Sequence, residues 1–234
     1  QNSTGLNLTQ VFLEKLKDLD LDITMCRGQG YDNGSNMVGI NKGVKTRILE
    51  INQRAAFTPC GCHNWNLLIT DAAKSSTEAS SFFGLCQKIY TLFSRSSKRW
   101  ANIKDNLELN LKALSETRWE SRIEAIKAIL FQFDEVIDCI EELENDKNSD
   151  SDLVSDCSAV TTQMMTFEFV FMLHMWYEIL YHINFISKMW QSPEICLGDA
   201  VNHLSEFCTW VVEFQDTGFE EVKKKAKSFV EKSN

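Results

Sequence analysis

Helical spacing of apolar residues alternates with short extended runs over the first 75 residues of the chain. Leu8, Phe12 and Leu16 recur every four residues, which indicates an amphipathic helix with Glu14 and Lys15 on its polar face. The predicted elements are, in order, helix, strand and turn, helix, strand and helix, over 8–20, 22–37, 44–51, 55–60 and 64–75. Two strands joined by a helix predict a parallel pair with a crossover connection, and therefore an α/β sheet.

After residue 76 the pattern is almost wholly helical, with room for one short strand over 111–117. Residues 120–143 predict one long helix, and 145–156 have the acidic, polar composition of an exposed loop. The apolar segment 159–190 has a polar stripe along one side of its helix, made of Glu168, His174, Glu178 and His182. This stripe predicts a buried bundle helix rather than a membrane span. The predicted fold class is therefore α/β plus all-α.

The formal charge of −9 comes from one part of the chain. Residues 134–156 hold ten carboxylates against one base, Lys147, so the remainder of the chain is neutral. Within that remainder, residues 27–100 hold ten Lys and Arg side chains against four acids, an excess of +6. Such a stretch can face nucleic acid, or it can be an ordinary solvated helix surface. Both interpretations stay open from charge alone.

Cys60, Cys62 and His63 place three candidate metal ligands within four residues. A structural zinc site needs four ligands, and no Cys-x-x-Cys partner occurs elsewhere in the chain. The other interpretation is a strand end with a hydrogen-bonded His63. Most of the other cysteines lie among apolar neighbours and are expected to be free thiols.

Two further positions suit chemistry on nucleic acid. Asp32 stands in a glycine-rich turn after a predicted strand, where open α/β sheets hold catalytic and ligand-binding groups. A two-metal site needs several carboxylates, so Asp32 is at most one metal ligand, and otherwise it is a turn residue. Arg118 and Trp119 suit phosphate contact and base stacking, although such a pair is also common at partly buried interfaces.

Three motifs follow one another along the chain: RGQGYDNGSNM at 27–37, CGCHNWNLL at 60–68 and TRWESR at 117–122. This order resembles the hAT superfamily of DNA transposases, and in particular its MYM-type zinc-finger-like branch, which includes domesticated host proteins. The segment 217–229 also looks like that branch. The resemblance therefore spans nearly the whole chain.

The resemblance implies a partial RNase H-like catalytic core over 1–118 and a mostly helical insertion domain over 119–234, with the acidic loop near 145–156. The first catalytic Asp of the family is expected before residue 1, and its last catalytic Glu beyond residue 234. By this resemblance the chain is a fragment that lacks two of the three catalytic carboxylates. The DNA-binding zinc finger and the C-terminal dimerisation segment of the family are also expected outside it.

The resemblance assigns roles to five residues. Asp32 would be the second acidic residue of the catalytic triad and a ligand of the divalent metal. Cys60 and His63 would match the Cys-x-x-His signature beside the active site, where they would contact nucleic acid. Arg118 and Trp119 would match the Arg-Trp signature, in which the Trp stabilises a flipped base near the cleaved DNA end.

By the same resemblance, the parent protein cleaves and joins DNA phosphodiesters with Mg²⁺ or Mn²⁺, and the fragment alone is expected to hold no metal tightly. The expected partners are transposon-end DNA and a second copy of the parent, joined through the missing C-terminal segment, and no membrane. The expected localisation is the nucleus. The alternative is a non-enzymatic, transposase-derived module for protein interactions, so whether the chain serves an enzyme stays open.

Overall fold

The computed structural model describes residues 4–115 and 119–232. The chain divides into two compact units, 1–67 and 68–234. Most of the described chain is helical and one small parallel sheet is present, so the fold is mixed and dominated by helices. The finer division at 118/119, between an RNase H-like core and an insertion, remains a prediction.

Helices alternate with two short strands in the first unit. Its elements are α1 (Gly5–Asp18), a 3₁₀ turn (Ile23–Met25), β1 (Gly28–Tyr31), α2 (Ser35–Val38), α3 (Val44–Ile51), β2 (Ala56–Pro59) and the start of α4 (Gly61–Lys74). The two strands are parallel, with Gly28 opposite Ala56 and Tyr31 opposite Pro59. The predicted parallel pair with helices between its strands is confirmed.

The core of the first unit is small, and buried amides reinforce it. Val44, Ile48 and Ala55 form its buried cluster, and the partly buried residues that pack against this cluster include Leu13 and Tyr31. The buried Asn52 donates through Nδ2 to the carbonyl oxygens of Ile23 at 2.9 Å and Cys26 at 2.7 Å, which holds the 3₁₀ turn against the end of α3. Gln29, buried in β1, donates to the Ala55 carbonyl at 2.9 Å. These bonds join the 3₁₀ turn to the end of α3, and β1 to the residue that precedes β2.

The second unit is a helical bundle. After the end of α4 it contains α5 (Thr77–Ser94), α6 (Ser97–Asn106), α7 (Trp119–Leu130), α8 (Phe133–Asn145), α9 (Ser151–Met164), α10 (Phe167–Trp190), α11 (Leu197–Glu213), a π turn (Phe214–Gly218) and α12 (Phe219–Lys232). Ser76, Asp150 and Thr166 start α5, α9 and α10, because each side chain accepts a hydrogen bond from the backbone N–H three residues on.

Helix α10 packs against α5, α7, α9, α11 and α12. Its Trp176 lies edge-on to Phe83 of α5, with ring centroids 4.8 Å apart, and the Arg122 guanidinium of α7 lies 4.9 Å from the centroid of Phe83. Leu173 and Leu180 are completely buried. The predicted bundle helix is confirmed over Phe167–Trp190, whereas residues 159–164 belong to the preceding helix α9. No helix among residues 4–115 and 119–232 is long and apolar enough to cross a membrane.

The predicted single helix over 120–143 is wrong. Phe131 and Gln132 are not helical, and they separate α7 from α8. Gln132 has an extended φ of −143° and turns its buried side chain to the backbone of Leu109. A strand is also absent over 111–115, where the Leu114 N–H donates to the side chain of Gln87 at 2.8 Å instead.

The predicted loop over 145–156 is too long. Only residues 146–150 connect α8 to α9, and Asp150 caps the new helix. Leu153 and Cys157 face the core from the first turns of α9. Their short stripe lies among Ser and Asp residues, which hid the helical period in the sequence.

Candidate functional site

Asp32 follows the last residue of β1 and is exposed. Its Oδ1 accepts a hydrogen bond from the N–H of Gly34 at 3.0 Å, which closes a tight turn into α2. A Cβ at Gly34 would lie 3.0 Å from the same oxygen, so a side chain there would crowd the carboxylate. The glycine-rich sequence thus holds Asp32 at the carboxyl end of the strand with its carboxylate open to solvent.

Cys60 and His63 lie at the corresponding end of β2. The N–H of Cys60 donates to the Tyr31 carbonyl at 2.9 Å, which continues the pairing of the strands by one residue. The carbonyl of Cys60 accepts from the N–H of Asn64 at 3.2 Å and so begins α4. His63 is half-buried on the first turn of that helix, and the Cys60 side chain is exposed.

A side-chain hydrogen bond joins the two strand ends. Nδ2 of Asn33 donates to Oδ1 of Asn64 at 2.6 Å. Because Asn33 adjoins Asp32 and Asn64 adjoins His63, this bond ties the two candidate loops together at one edge of the sheet. Sequence reasoning missed both asparagines, since a lone Asn in a turn or at a helix start carries no distinctive signal.

The other two candidates belong elsewhere in the chain. Arg118 lies outside the described residues. Trp119 begins α7 in the second unit. A shared cleft containing Asp32, His63 and Trp119 therefore remains a prediction.

The described residues do not form a complete metal site at the strand ends. Asp32 supplies one carboxylate, and no group of three or more His, Cys, Asp or Glu side chains in residues 4–115 and 119–232 is arranged to hold an ion. Mg²⁺ takes oxygen ligands in octahedral geometry, and a two-metal site needs carboxylates from several elements. Cys60, Cys62 and His63 likewise do not form a zinc site within the described part of the chain.

In the second unit, basic residues of the 27–100 stretch face the acidic segment. Nζ of Lys88 lies 2.9 Å from a carboxylate oxygen of Asp156, and Nζ of Lys98 lies 3.5 Å from Asp146. Arg99 donates to the Leu92 carbonyl at 2.8 Å. These cations and the α8–α9 connection, residues 146–150, line two adjoining clefts. The larger cleft has a volume of about 410 Å³. Two acidic side chains thus balance part of the positive excess here.

In the first unit, several cations brace the fold. Arg27 and Arg54 both donate to the carbonyl of Thr24, at 3.0 and 3.3 Å. Nζ of Lys45 lies 4.7 Å from the ring centroid of Phe57 in β2. These three basic residues belong to the unit that carries Asp32.

No protein-family model matches the chain, and no solved structure matches its fold.

Proposed function

We propose that this chain is part of an hAT-type DNA transposase, or of a protein derived from one, whose parent reaction is the cleavage and joining of DNA phosphodiesters. The observation that carries the proposal is the hydrogen bond between Asn33 and Asn64. It holds the Asp32 turn beside the Cys60–His63 turn, and these are two of the three motifs on which the resemblance rests.

The topology supports the same proposal. An RNase H-like core would contain parallel strands joined by a crossover helix, with its acidic residues at strand ends. β1 and β2 have this relation, and Asp32 directly follows β1. Open α/β sheets bind ligands beyond the carboxyl ends of their strands, which is where Asp32, Cys60 and His63 lie.

Each residue has a role that suits its chemistry. Asp32 contributes one carboxylate of the catalytic triad, and the parent protein must supply the others before Mg²⁺ or Mn²⁺ is held. Cys60 and His63 line the adjacent edge and contact the DNA. Arg118 and Trp119 are proposed to bind a phosphate and a flipped base near the cleaved end. The nucleus is the compartment in which such a protein would meet its DNA.

The test is cleavage of transposon-end DNA by the complete parent protein. Asp32→Asn should lower the cleavage rate about a hundredfold or more, because it removes a charged group from the reacting centre. Asp22→Asn is the matched control: Asp22 is an exposed aspartate of the same unit that accepts from the Thr24 N–H at 2.9 Å, and asparagine keeps that acceptor. Full cleavage by the Asp32→Asn protein would contradict the proposal.

The isolated chain should not nick DNA. A single carboxylate at the strand ends cannot position metal ions on both the attacking and the leaving oxygen. Metal-dependent nicking by the pure chain, abolished by Asp32→Ala, would show that the described residues suffice and that the family triad has been assigned wrongly.

A non-enzymatic module for protein interactions is the second candidate. Leu197, Val201 and Val212 of α11 are 82%, 57% and 60% exposed, and exposed apolar residues grouped on one helix suit contact with another protein. If the parent is such a module, its cellular activity should survive Asp32→Asn and fail when α11 is altered.

A further inference from the structure

The exposed side of α11 carries apolar residues at the spacing of a coiled-coil seam. Successive members are separated by four, three, four and three positions: Leu197, Val201, Leu204, Cys208 and Val211. We call these five residues the α11 seam. Its leucines and valines are 39% to 82% exposed, and Cys208 is exposed as well. The alternation of three and four residues is the heptad pattern by which one helix packs along another.

A different face of α11 attaches it to its own unit. Trp210 stacks on His182 of α10 with ring centroids 3.7 Å apart, and on Phe214 with centroids 4.9 Å apart. Phe207 is the buried residue on this side. Packing against α10 already stabilises α11 as a helix. A seam of only two heptads therefore needs to supply the contact between helices and not the stability of the helix itself.

The charges of α11 are compatible with pairing between two copies of the seam. The acidic residues of α11 recur every seven positions on the side away from the seam, at Asp199, Glu206 and Glu213. The residues that flank the seam are uncharged: Gly198, Ser205 and Val212 on one side, and Ala200, Phe207 and Phe214 on the other. In a dimer with two-fold symmetry the same surface of each copy forms the contact. Because the residues flanking the seam are uncharged, this contact brings no like charges together.

We propose that the α11 seam pairs with the α11 seam of a second copy of this chain. Leu197 and Leu204 alternate with Val201, and leucine alternating with a β-branched residue favours two strands. The same surface supplies both halves of the contact. This inference is independent of the proposed DNA chemistry, and it places a self-association surface within the helical unit.

The test is sedimentation velocity of the 234-residue chain over a range of concentrations, with reductant present. The chain should form a concentration-dependent dimer. Val201→Asp should raise the dimer dissociation constant at least about tenfold, because pairing would bury its charge without a partner. The matched control, Asn202→Asp, adds the same charge at the next exposed position and should leave the constant nearly unchanged. A monomer at every concentration, or equal effects of the two variants, would overturn the proposal.

A second measurement does not depend on the folding of a variant. Alkylation of each cysteine in the unaltered chain can be followed by mass spectrometry. Alkylation of Cys208 should slow as the protein concentration rises through dimer formation, while that of the exposed Cys60 should not. A rate at Cys208 that does not depend on concentration, in a chain that does dimerise, would place the interface elsewhere.

Discussion

The side-chain amide of Gln132 forms two hydrogen bonds with the backbone of Leu109. Its Nε2 donates to the Leu109 carbonyl at 2.6 Å, and its Oε1 accepts from the Leu109 N–H at 3.0 Å. Gln132 is buried in the break between α7 and α8. One side chain thus pairs with the extended segment after α6 in the way that a neighbouring strand would.

Gln132→Met should destabilise the second unit by about 1–3 kcal/mol, because methionine keeps the volume and leaves the two backbone groups without a partner. Urea denaturation followed by circular dichroism measures the change. Gln163→Met, at an exposed position of α9, is the control and should change the free energy of unfolding by less than about 0.5 kcal/mol. Similar losses in both variants would mean that the pairing with Leu109 contributes little.

Gly218 and Gly84 should respond to alanine with opposite signs. A Cβ at Gly218 would lie 2.8 Å from Cε2 of Phe214, whose ring is held by stacking on Trp210. Gly218→Ala should therefore cost roughly 1–3 kcal/mol. A Cβ at Gly84, within α5, meets no atom within 4 Å, so Gly84→Ala should stabilise by about 0.5–1 kcal/mol through helix propensity. Thermal unfolding compares the two, and a stabilising Gly218→Ala would contradict the close contact.

His174 should titrate below its ordinary value. Burial lowers the pKa of His174 from 6.5, the Lys225 charge lowers it further, and the Glu178 carboxylate raises it. Lys225 and Glu178 form an ion pair at 2.8 Å. In a titration of the imidazole protons by NMR, Lys225→Met should raise the pKa of His174 and Glu178→Gln should lower it. Shifts of the same sign would contradict this assignment of charges.

The same histidine links stability to acid. In the unfolded chain the His174 imidazole takes up a proton near pH 6.5, whereas in the folded chain its lowered pKa keeps it neutral to a lower pH. The free energy of unfolding should therefore fall as pH drops below about 6.5, and His174→Gln should make that fall shallower. An identical slope in the variant would exclude His174 as a source of acid sensitivity.

Alkaline pH should act through the buried thiols. Burial, reinforced by nearby carboxylates, raises the pKa of Cys139 and of Cys157 from 9.0 to about 11. Between pH 9.0 and about 11 the thiols of Cys139 and Cys157 lose their protons in the unfolded chain and keep them in the folded chain. The free energy of unfolding should therefore fall as pH rises through this range. Cys157→Ala should reduce this dependence, and an unchanged slope in that variant would exclude Cys157 as its source. Urea denaturation in reductant across this pH range gives the slope for the unaltered chain and for the variant.

The sequence was informative where a local pattern decides the structure. The strand after Ala55 and the helix that begins near His63 follow from an extended run and a helical period within a few residues of each other. The break at Gln132 could not be predicted, because its hydrogen-bonding partner lies 23 positions away and glutamine is a good helix former.

The candidate site shows the same limit. The proximity of Asp32 and Cys60 follows from two parallel strands that end in the same register. The bond between Asn33 and Asn64 depends on rotamers that no pattern of residue types reveals. Gly218 likewise lies buried in a π turn that continues into α12, where its missing Cβ leaves room for Phe214.

The two units have cores of very different size, and this governs how the chain melts. The first has three buried apolar residues at its centre and a sheet of two strands, which is marginal on its own. The second buries aliphatic and aromatic side chains from several helices. Heating should therefore produce two transitions, with the Asp32 turn lost in the earlier one. The changes expected at Gln132 and Gly218 then belong to the later transition alone, since an all-or-none treatment does not apply to the whole chain.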